Sequence, residues 1–404
     1  MSRGVHPWRR SELTYCSNVH PGETLAAVIA VLDQHVGAVR ALRSLDVMAS
    51  GLWISAAAAV RLRESAATLT EFCAALARNQ IELVTMNGFP YGAFHAAVVK
   101  ERVYRPDWSD PRRAAYTLDL AEILAACLPA HVTEGTISTL PLGFAPDWEP
   151  SRHEAALRQL LAAAGELADL RKRTGRSIRL CLEMEPGCVL DRSDQLIRLF
   201  AEELPAAARR SDVEAKAVAQ HLGVCFDVCH QAVMFERPAE SLQRIADAGI
   251  AIGKIQISSA LEALDPELAS AALEAYVEPR YLHQVRCQRA DGTLVGETDL
   301  AVALDNRTLP RSSAWRIHFH VPVQVRSLQA GVLETTRDAI EETLDFLANQ
   351  PDQRPHLEVE TYTWELLPEG LRPAVDAELH QGLATELAWL EQALGQRGLL
   401  EEAL

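Results

Sequence analysis

Positive charge is in short supply. Against 55 acidic residues the chain has 39 lysines and arginines, a formal net charge of −16. A surface this acidic repels phosphate backbones and anionic lipid. A general role on nucleic acid or a membrane surface is therefore disfavoured, although one anionic group could still be held by a metal in a deep pocket. No apolar run reaches the length of a membrane span, because the longest are broken by Arg, Gln, Asp or His, so no membrane insertion is expected. The opening MSRGVHPWRRSELTYC has neither an apolar run nor a small-residue cleavage site and reads as a mature soluble start. Paired CxxC modules are missing from the eight cysteines. Cys73, Cys127, Cys181 and Cys225 sit inside apolar runs, as small buried hydrophobes of a reducing compartment do, and a cytoplasmic location is expected. No GxGxxG follows the first strand pattern and no GxxxxGK[ST] occurs, so neither common nucleotide-binding motif is supported. No low-complexity linker divides the 404 residues, which read as a single domain, 1–404.

What is present is a core-forming composition, 48% hydrophobic and 23% charged, arranged as alternating strand-like and helix-like segments. Strands are expected at 13–19, 52–55, 81–86, 132–138, 178–185, 222–227, 250–257 and 357–361. Between them lie amphipathic helices, such as the one carrying Leu25, Val28, Ile29, Leu32, Val36 and Val39 on one face. The helix after the fourth strand opens on Ser151 with Glu154 three residues later, a capping-box pattern. The unit after strand seven is swollen by an insertion at about 260–316, followed by the strand-like WRIHFHVPV, and a last helix covers about 374–394. Eight strand–helix units predict an α/β fold, a closed (β/α)₈ TIM barrel, with an open doubly wound sheet as the alternative.

Catalytic groups of such barrels collect at the C-terminal strand ends. In IRLCLEMEPG, the two-residue period puts Ile178, Leu180, Leu182 and Met184 on one face and Cys181, Glu183 and Glu185 on the other. Two carboxylates facing into a barrel are costly unless a cation neutralises them. Strand six ends in Asp227 with His230 three residues on; HFH puts His318 and His320 on one face; LEVET puts Glu358 and Glu360 on one face. A lone ExE, HxH or DxxH is common on half-exposed strands and turns, but here each falls at a strand end. Together they predict a divalent metal on oxygen and nitrogen ligands, with Mn, Co, Fe, Zn and Mg all compatible.

The order LExE, DVCH, HFH and ET resembles the xylose-isomerase-like TIM-barrel superfamily, which includes sugar isomerases, epimerases and the endonuclease-IV type of repair enzyme. More narrowly, the strings LTYCSNVHPGE, NGFPYGAFH, VKERVYRPDW, LEMEPGCVL, GVCFDVCH, KIQISSAL, HFHVPV and LEVETYTW resemble the EboE-type metabolite traffic proteins of bacterial Ebo gene clusters. The superfamily resemblance implies metal ligands among Glu185, Asp227, His230, His318, His320 and Glu360, and catalytic carboxylates among Glu183, Glu185 and Glu360. Many members place a histidine on strand seven, where this chain has Gln256, so His318 or His320 is expected to supply that imidazole. The narrower resemblance implies making or moving a secondary metabolite, with partners among other proteins of such a cluster.

The expected activity is a metal-dependent isomerase or epimerase of a sugar-like or cyclitol-like small-molecule metabolite. One glutamate, Glu183 or Glu185, would take a carbon-bound proton and Glu360 return one. His20, Asn87, Tyr91, His95, Trp108 and Gln256 are candidate substrate-binding residues, with Tyr91, His95 and Trp108 placed to close over the substrate. A multi-metal phosphoester hydrolase and a non-catalytic metabolite carrier are the alternatives.

Overall fold

The first barrel strand is cut short at two residues. In the computed structural model, which describes residues 7–211, 213–305 and 308–401, β1 spans Thr14–Tyr15 and gives way to a 3₁₀ turn at Ser17–Val19. The other strands follow in chain order: β2 Met48–Trp53, β3 Ile81–Asn87, β4 Glu134–Thr139, β5 Ser177–Glu183, β6 Leu222–Asp227 and β7 Ile252–Ile257, with β14 at His356–Val359. All eight pair in parallel in the order β1-β14-β7-β6-β5-β4-β3-β2, and a parallel bridge between Cys16 and Gly51 joins the two ends. The open-sheet alternative is thereby excluded.

Helices cover the outside, as parallel strands buried on both faces require. Among them are Pro111–Cys127, Pro150–Thr174, Pro238–Asp247 and Arg337–Asn349. Leu157, Leu160, Leu161, Ala164, Leu167 and Leu170 are the buried face of Pro150–Thr174. That helix starts on Pro150, whose missing N–H costs nothing in a first turn, and not on the expected capping box: Ser151 already lies inside the helix. The expectation that no segment is apolar and long enough for a membrane also needs correcting. Leu25–Leu42 forms eighteen continuous helical residues that meet that description by length and composition. Here the helix lies on the barrel, with Val28, Val31, Leu32, Val36 and Val39 buried against it. Six of the cysteines are buried; Cys73 and Cys127 are half-buried, with their Sγ atoms 3.1 Å apart between neighbouring helices.

The insertion forms more structure than its Gly- and Pro-rich stretches indicate. Six strands, β8 Ser259–Ala263, β9 Val285–Gln288, β10 Leu294–Glu297, β11 Trp315–Val321, β12 Ser327–Leu328 and β13 Leu333–Thr335, make an antiparallel sheet ordered β10-β9-β11-β8-β13-β12. Only Ser258 separates β7 from β8, so this sheet grows directly out of the barrel mouth. Trp315, Ile317, Phe319, Val285 and Leu261 are fully buried within it.

Candidate metal centre

β5 stops at Glu183, and Gly187 (φ +84°) closes the turn that sends the chain away. Glu183 and Glu185 both line the cavity at the barrel mouth, as the two-residue period requires. β6 ends on Asp227, which also caps the helix Val228–Val233. Its Oδ1 accepts from the His230 N–H at 2.9 Å and the Ser258 hydroxyl at 2.8 Å. Glu360 follows β14, and its Oε1 accepts from Asn18 Nδ2 (2.8 Å) and Asn87 Nδ2 (3.1 Å).

The imidazoles come from the inserted sheet and the β6 turn. The β11–β8 register pairs Ile317 with Leu261 and then His320 with Ala260, a bulge that leaves His318 and Phe319 unmatched. Such irregularities re-aim side chains at sites. Here His318 and His320 converge on His230, with ring centroids 4.5 and 5.5 Å away.

The partners of each ring decide which nitrogen carries the proton. His230 Nδ1 donates to the Met184 carbonyl at 2.8 Å, and His320 Nδ1 to the Glu360 carbonyl at 2.8 Å. His318 Nδ1 donates to Gln284 Oε1 at 2.6 Å. The Gln284 amide in turn donates to the Tyr104 hydroxyl (3.0 Å), which donates to Glu185 Oε1 (2.6 Å). All three Nε2 lone pairs therefore face the cluster. Those of His230 and His318 are 2.9 Å apart, where they repel each other unless a proton or a cation lies against them. Neighbouring donors on one ion, each ~2.1 Å from it, stand at about that separation.

The buried atoms without a protein partner tell the same story. Among the described residues they include Glu183 Oε2, Glu185 Oε2, Asp227 Oδ2 and His320 Nε2. Buried polar atoms are rarely left so. The donor atoms form overlapping buried groups, Glu183–Asp227–Glu360, Asp227–His230–His320, Glu185–His230–His318 and Cys229–His318–His320, each within 4.8 Å. A buried cluster able to coordinate a divalent ion is present, and its mixed oxygen and nitrogen donors fit one.

Burial, followed by the charges of Glu360, Asp227 and Glu185, pushes Glu183 well above the usual carboxylate range. Burial and then Asp227 do the same to Glu360. Burial lifts Glu185 to about 6, with His230 and the Tyr104 hydroxyl pulling the other way. Burial works against Asp227 too, but His230, His320 and its hydrogen bonds outweigh it and hold this carboxyl below its ordinary value. His320 is depressed to about 4, chiefly by burial. Burial and the neighbouring carboxylates thus press Glu183 and Glu360 out of their charged forms, a cost that a cation would relieve.

Beneath this layer lies a second. Lys254 Nζ sits 2.6 Å from Glu358 Oε2, both side chains fully buried. Burial disfavours the ammonium, but the Glu358 carboxylate beside it outweighs burial and holds it charged. Glu358 thus turns its charge to a lysine and not to the cavity. Its carboxylate crosses the barrel to lie over Gly51, where a Cβ would meet Glu358 Oε1 at 1.3 Å.

Of the six candidate substrate-binding residues, only Asn87 lines the cavity. Gln256 is buried in register with Asp227 and Glu358, accepting from Cys225 Sγ at 3.2 Å, with its Nε2 unpartnered. His95 hydrogen-bonds Glu23 and the Asn18 carbonyl, so it reaches Glu360 only through Asn18. The other three are placed differently from expectation. Trp108 is fully buried, donating to Thr139, because the loop folds back on the β4 end. Tyr91 packs edge-on against Tyr116 above Arg113. His20 points away from the cavity, hydrogen-bonded to the Tyr15 hydroxyl and stacked on His35. Asn18, Tyr104, Gln284 and Lys254 escaped the sequence reading. Lys254 had a signal, a lone charge in an apolar strand, whereas Tyr104 and Gln284 meet the site only through folding.

No family model and no curated protein matches the chain. Solved structures with a similar course include a xylose isomerase domain protein from Planctomyces limnophilus (13% identity, TM-score 0.49, covering 97% of this chain and 99% of that one). Others are D-allulose 3-epimerase from a Methylomonas species in complex with D-allulose (11%, 0.48, 97% and 100%) and a xylose isomerase-like TIM-barrel protein from Mycobacterium smegmatis in complex with magnesium (12%, 0.46, 92% and 90%). At such identities and TM-scores the likeness does not reach to a shared activity, and the barrel is established by the pairing of this chain's own strands.

Proposed function

We propose that this protein is a divalent-metal-dependent isomerase or epimerase of a sugar-like or cyclitol-like metabolite, a member of the xylose-isomerase-like superfamily and, more narrowly, of its EboE-type metabolite traffic branch. The observation that carries the reading is the Glu183–Asp227–Glu360 group, three buried carboxylates at the ends of three different strands, beside the unpartnered Nε2 of His320 and the facing Nε2 atoms of His230 and His318.

Glu183, Asp227, Glu360 and His320 are the residues that would hold the ion, with His230 and His318 beside them. A divalent ion there supplies the charge that neutralises the carboxylates and polarises adjacent carbonyl and hydroxyl oxygens of a polyol. Glu185 takes the carbon-bound proton: it lines the cavity beside the residues that would hold the ion, with Oε2 unpartnered. Tyr104 pins Glu185 Oε1 and leaves Oε2 for the reaction. Glu360, fixed by Asn18 and Asn87, returns a proton from another strand.

The overlap of four donor groups favours a second reading, a multi-ion phosphoester hydrolase. Against it, the one cation lining the cavity among the described residues, Lys100, is already bound to Asp299. Elemental analysis of protein purified without chelator separates the readings. One equivalent of a divalent metal, lost in Asp227→Ala, supports the isomerase; two or three support the hydrolase; none, even after incubation with Mn²⁺, Zn²⁺ or Fe²⁺, leaves a metabolite carrier. A panel of ketoses and cyclitols in deuterated water then shows solvent deuterium entering substrate carbon with the native protein and not with Glu185→Gln.

A further inference from the structure

The cavity above the carboxylates is not polar all round. Phe94, Tyr281 and Tyr362 form a wall of three rings, with centroids 4.8 Å apart for Phe94–Tyr281, 5.1 Å for Tyr281–Tyr362 and 5.7 Å for Phe94–Tyr362. Val103 and Leu282 extend that wall. Tyr281 cannot offer its hydroxyl, which donates to the Phe94 carbonyl at 3.1 Å, so it presents ring surface. Lys100 is spent as well: its ammonium donates to the Tyr281 carbonyl (2.6 Å), the Glu278 carbonyl (3.1 Å) and Asp299 Oδ2 (2.6 Å), which uses all three of its protons.

Among the described residues, a phosphate or carboxylate on the substrate would find no free lysine or arginine in this lining and would face the carboxylates around the ion site. A bare polyol would satisfy the polar floor and leave the accessible part of the apolar wall, chiefly Tyr362, Val103 and Leu282, against water. Resting on the reading above, we infer that the substrate is an uncharged amphipathic molecule: a polyol head that reaches the carboxylates, carrying an apolar or aromatic substituent that covers Phe94, Tyr281, Tyr362, Val103 and Leu282. The wall contributes through removal of apolar surface from water and through ring contacts.

The test is isothermal titration of the metal-loaded full chain with neutral glycosides in matched pairs, methyl and phenyl glucoside, galactoside and xyloside, together with glucose 6-phosphate. At least one phenyl member binds about tenfold or more tighter than its methyl partner, equivalent to ~1.4 kcal/mol. Leu282→Asn and Val103→Asn, both at half-buried positions, lose that gain while retaining the native metal content. The inference is overturned if no pair shows the gain (absence of binding by every glycoside included), if glucose 6-phosphate binds tighter than the neutral compounds, or if both variants keep the gain. Loss of metal from the native protein would sink the metal-dependent reading itself. A failed glycoside series on protein that holds its metal sinks the amphipathic substrate alone.

Discussion

Single side chains decide the chemistry at the barrel mouth, and they do so through their partners. Glu183 and Glu185 share a strand face and both approach His230, yet Glu183 groups with Asp227 and Glu360 while Glu185 accepts from Tyr104 and lies beside His318. Removing the Tyr104 hydroxyl tests that division. Tyr104→Phe removes the hydroxyl that pins Glu185 Oε1, so deuterium exchange into substrate falls by about 10²-fold, while metal content stays at the native level. Gly51 offers a sharper structural test. Gly51→Ala places a methyl where the Glu358 carboxylate lies, and either the Lys254–Glu358 pair breaks or the strand moves; a loss of about 3 kcal/mol or more is expected in denaturant titration. His356, beneath the barrel, is depressed to about 4 by burial and by Lys254 and Arg354. Its folded value lies below its unfolded value of about 6.5, so between those two values the unfolded chain binds more protons and stability falls as the pH drops. Melting temperature should decline from pH 7 to 5, and His356→Gln should flatten that slope. The ring edge is partly accessible at the barrel bottom, which keeps the effect below ~3 kcal/mol.

At the scale of elements, the inserted sheet contributes to the candidate metal centre. β11 brings His318 and His320 to the mouth, and its bulge turns them toward His230. The sheet has its own apolar core around Trp315, which is fully buried and over whose ring Arg311 sits at 5.3 Å. Trp315→Ala opens a cavity worth about 3–5 kcal/mol. Because β11 is anchored there, the variant should also bind metal more weakly, although Trp315 is no ligand. Equilibrium dialysis with Zn²⁺ or Mn²⁺ on folded protein measures this, and unchanged affinity would show that the barrel holds the histidines unaided.

For the whole molecule, metal binding would couple to closure. The candidate ligands come from β5, β6, β11 and the end of β14, so one ion would tie the inserted sheet to barrel strands far apart in the chain. An ion that binds the folded state alone raises stability by about 2.7 kcal/mol at a free concentration of 100 Kd. Thermal melts should therefore shift upward with added metal and downward with chelator, and the shift should vanish in Asp227→Ala.

Much of this was open to reading from the sequence alone. Strand and helix periods depend on neighbours two to four residues apart, so β6 at Leu222–Asp227 matches its expected bounds and the other barrel strands lie within a few residues of theirs. Alternation likewise set which residues of LCLEMEPG face inward, and the strand ends named Asp227, His230 and Glu360. Tertiary structure decided what lies far apart in the chain. The insertion became a second sheet because β11 and β13 both pair with β8 and so join the local β9–β10 and β12–β13 hairpins into one sheet. His20 turned outward because the chain leaves the strand conformation after Tyr15, and Trp108 was drawn inward by Thr139. Tyr104 and Gln284 joined Glu185 and His318 across 81 and 34 residues. No local period encodes such contacts, since they arise only when the barrel closes and buried polar atoms must find the partners that packing places beside them.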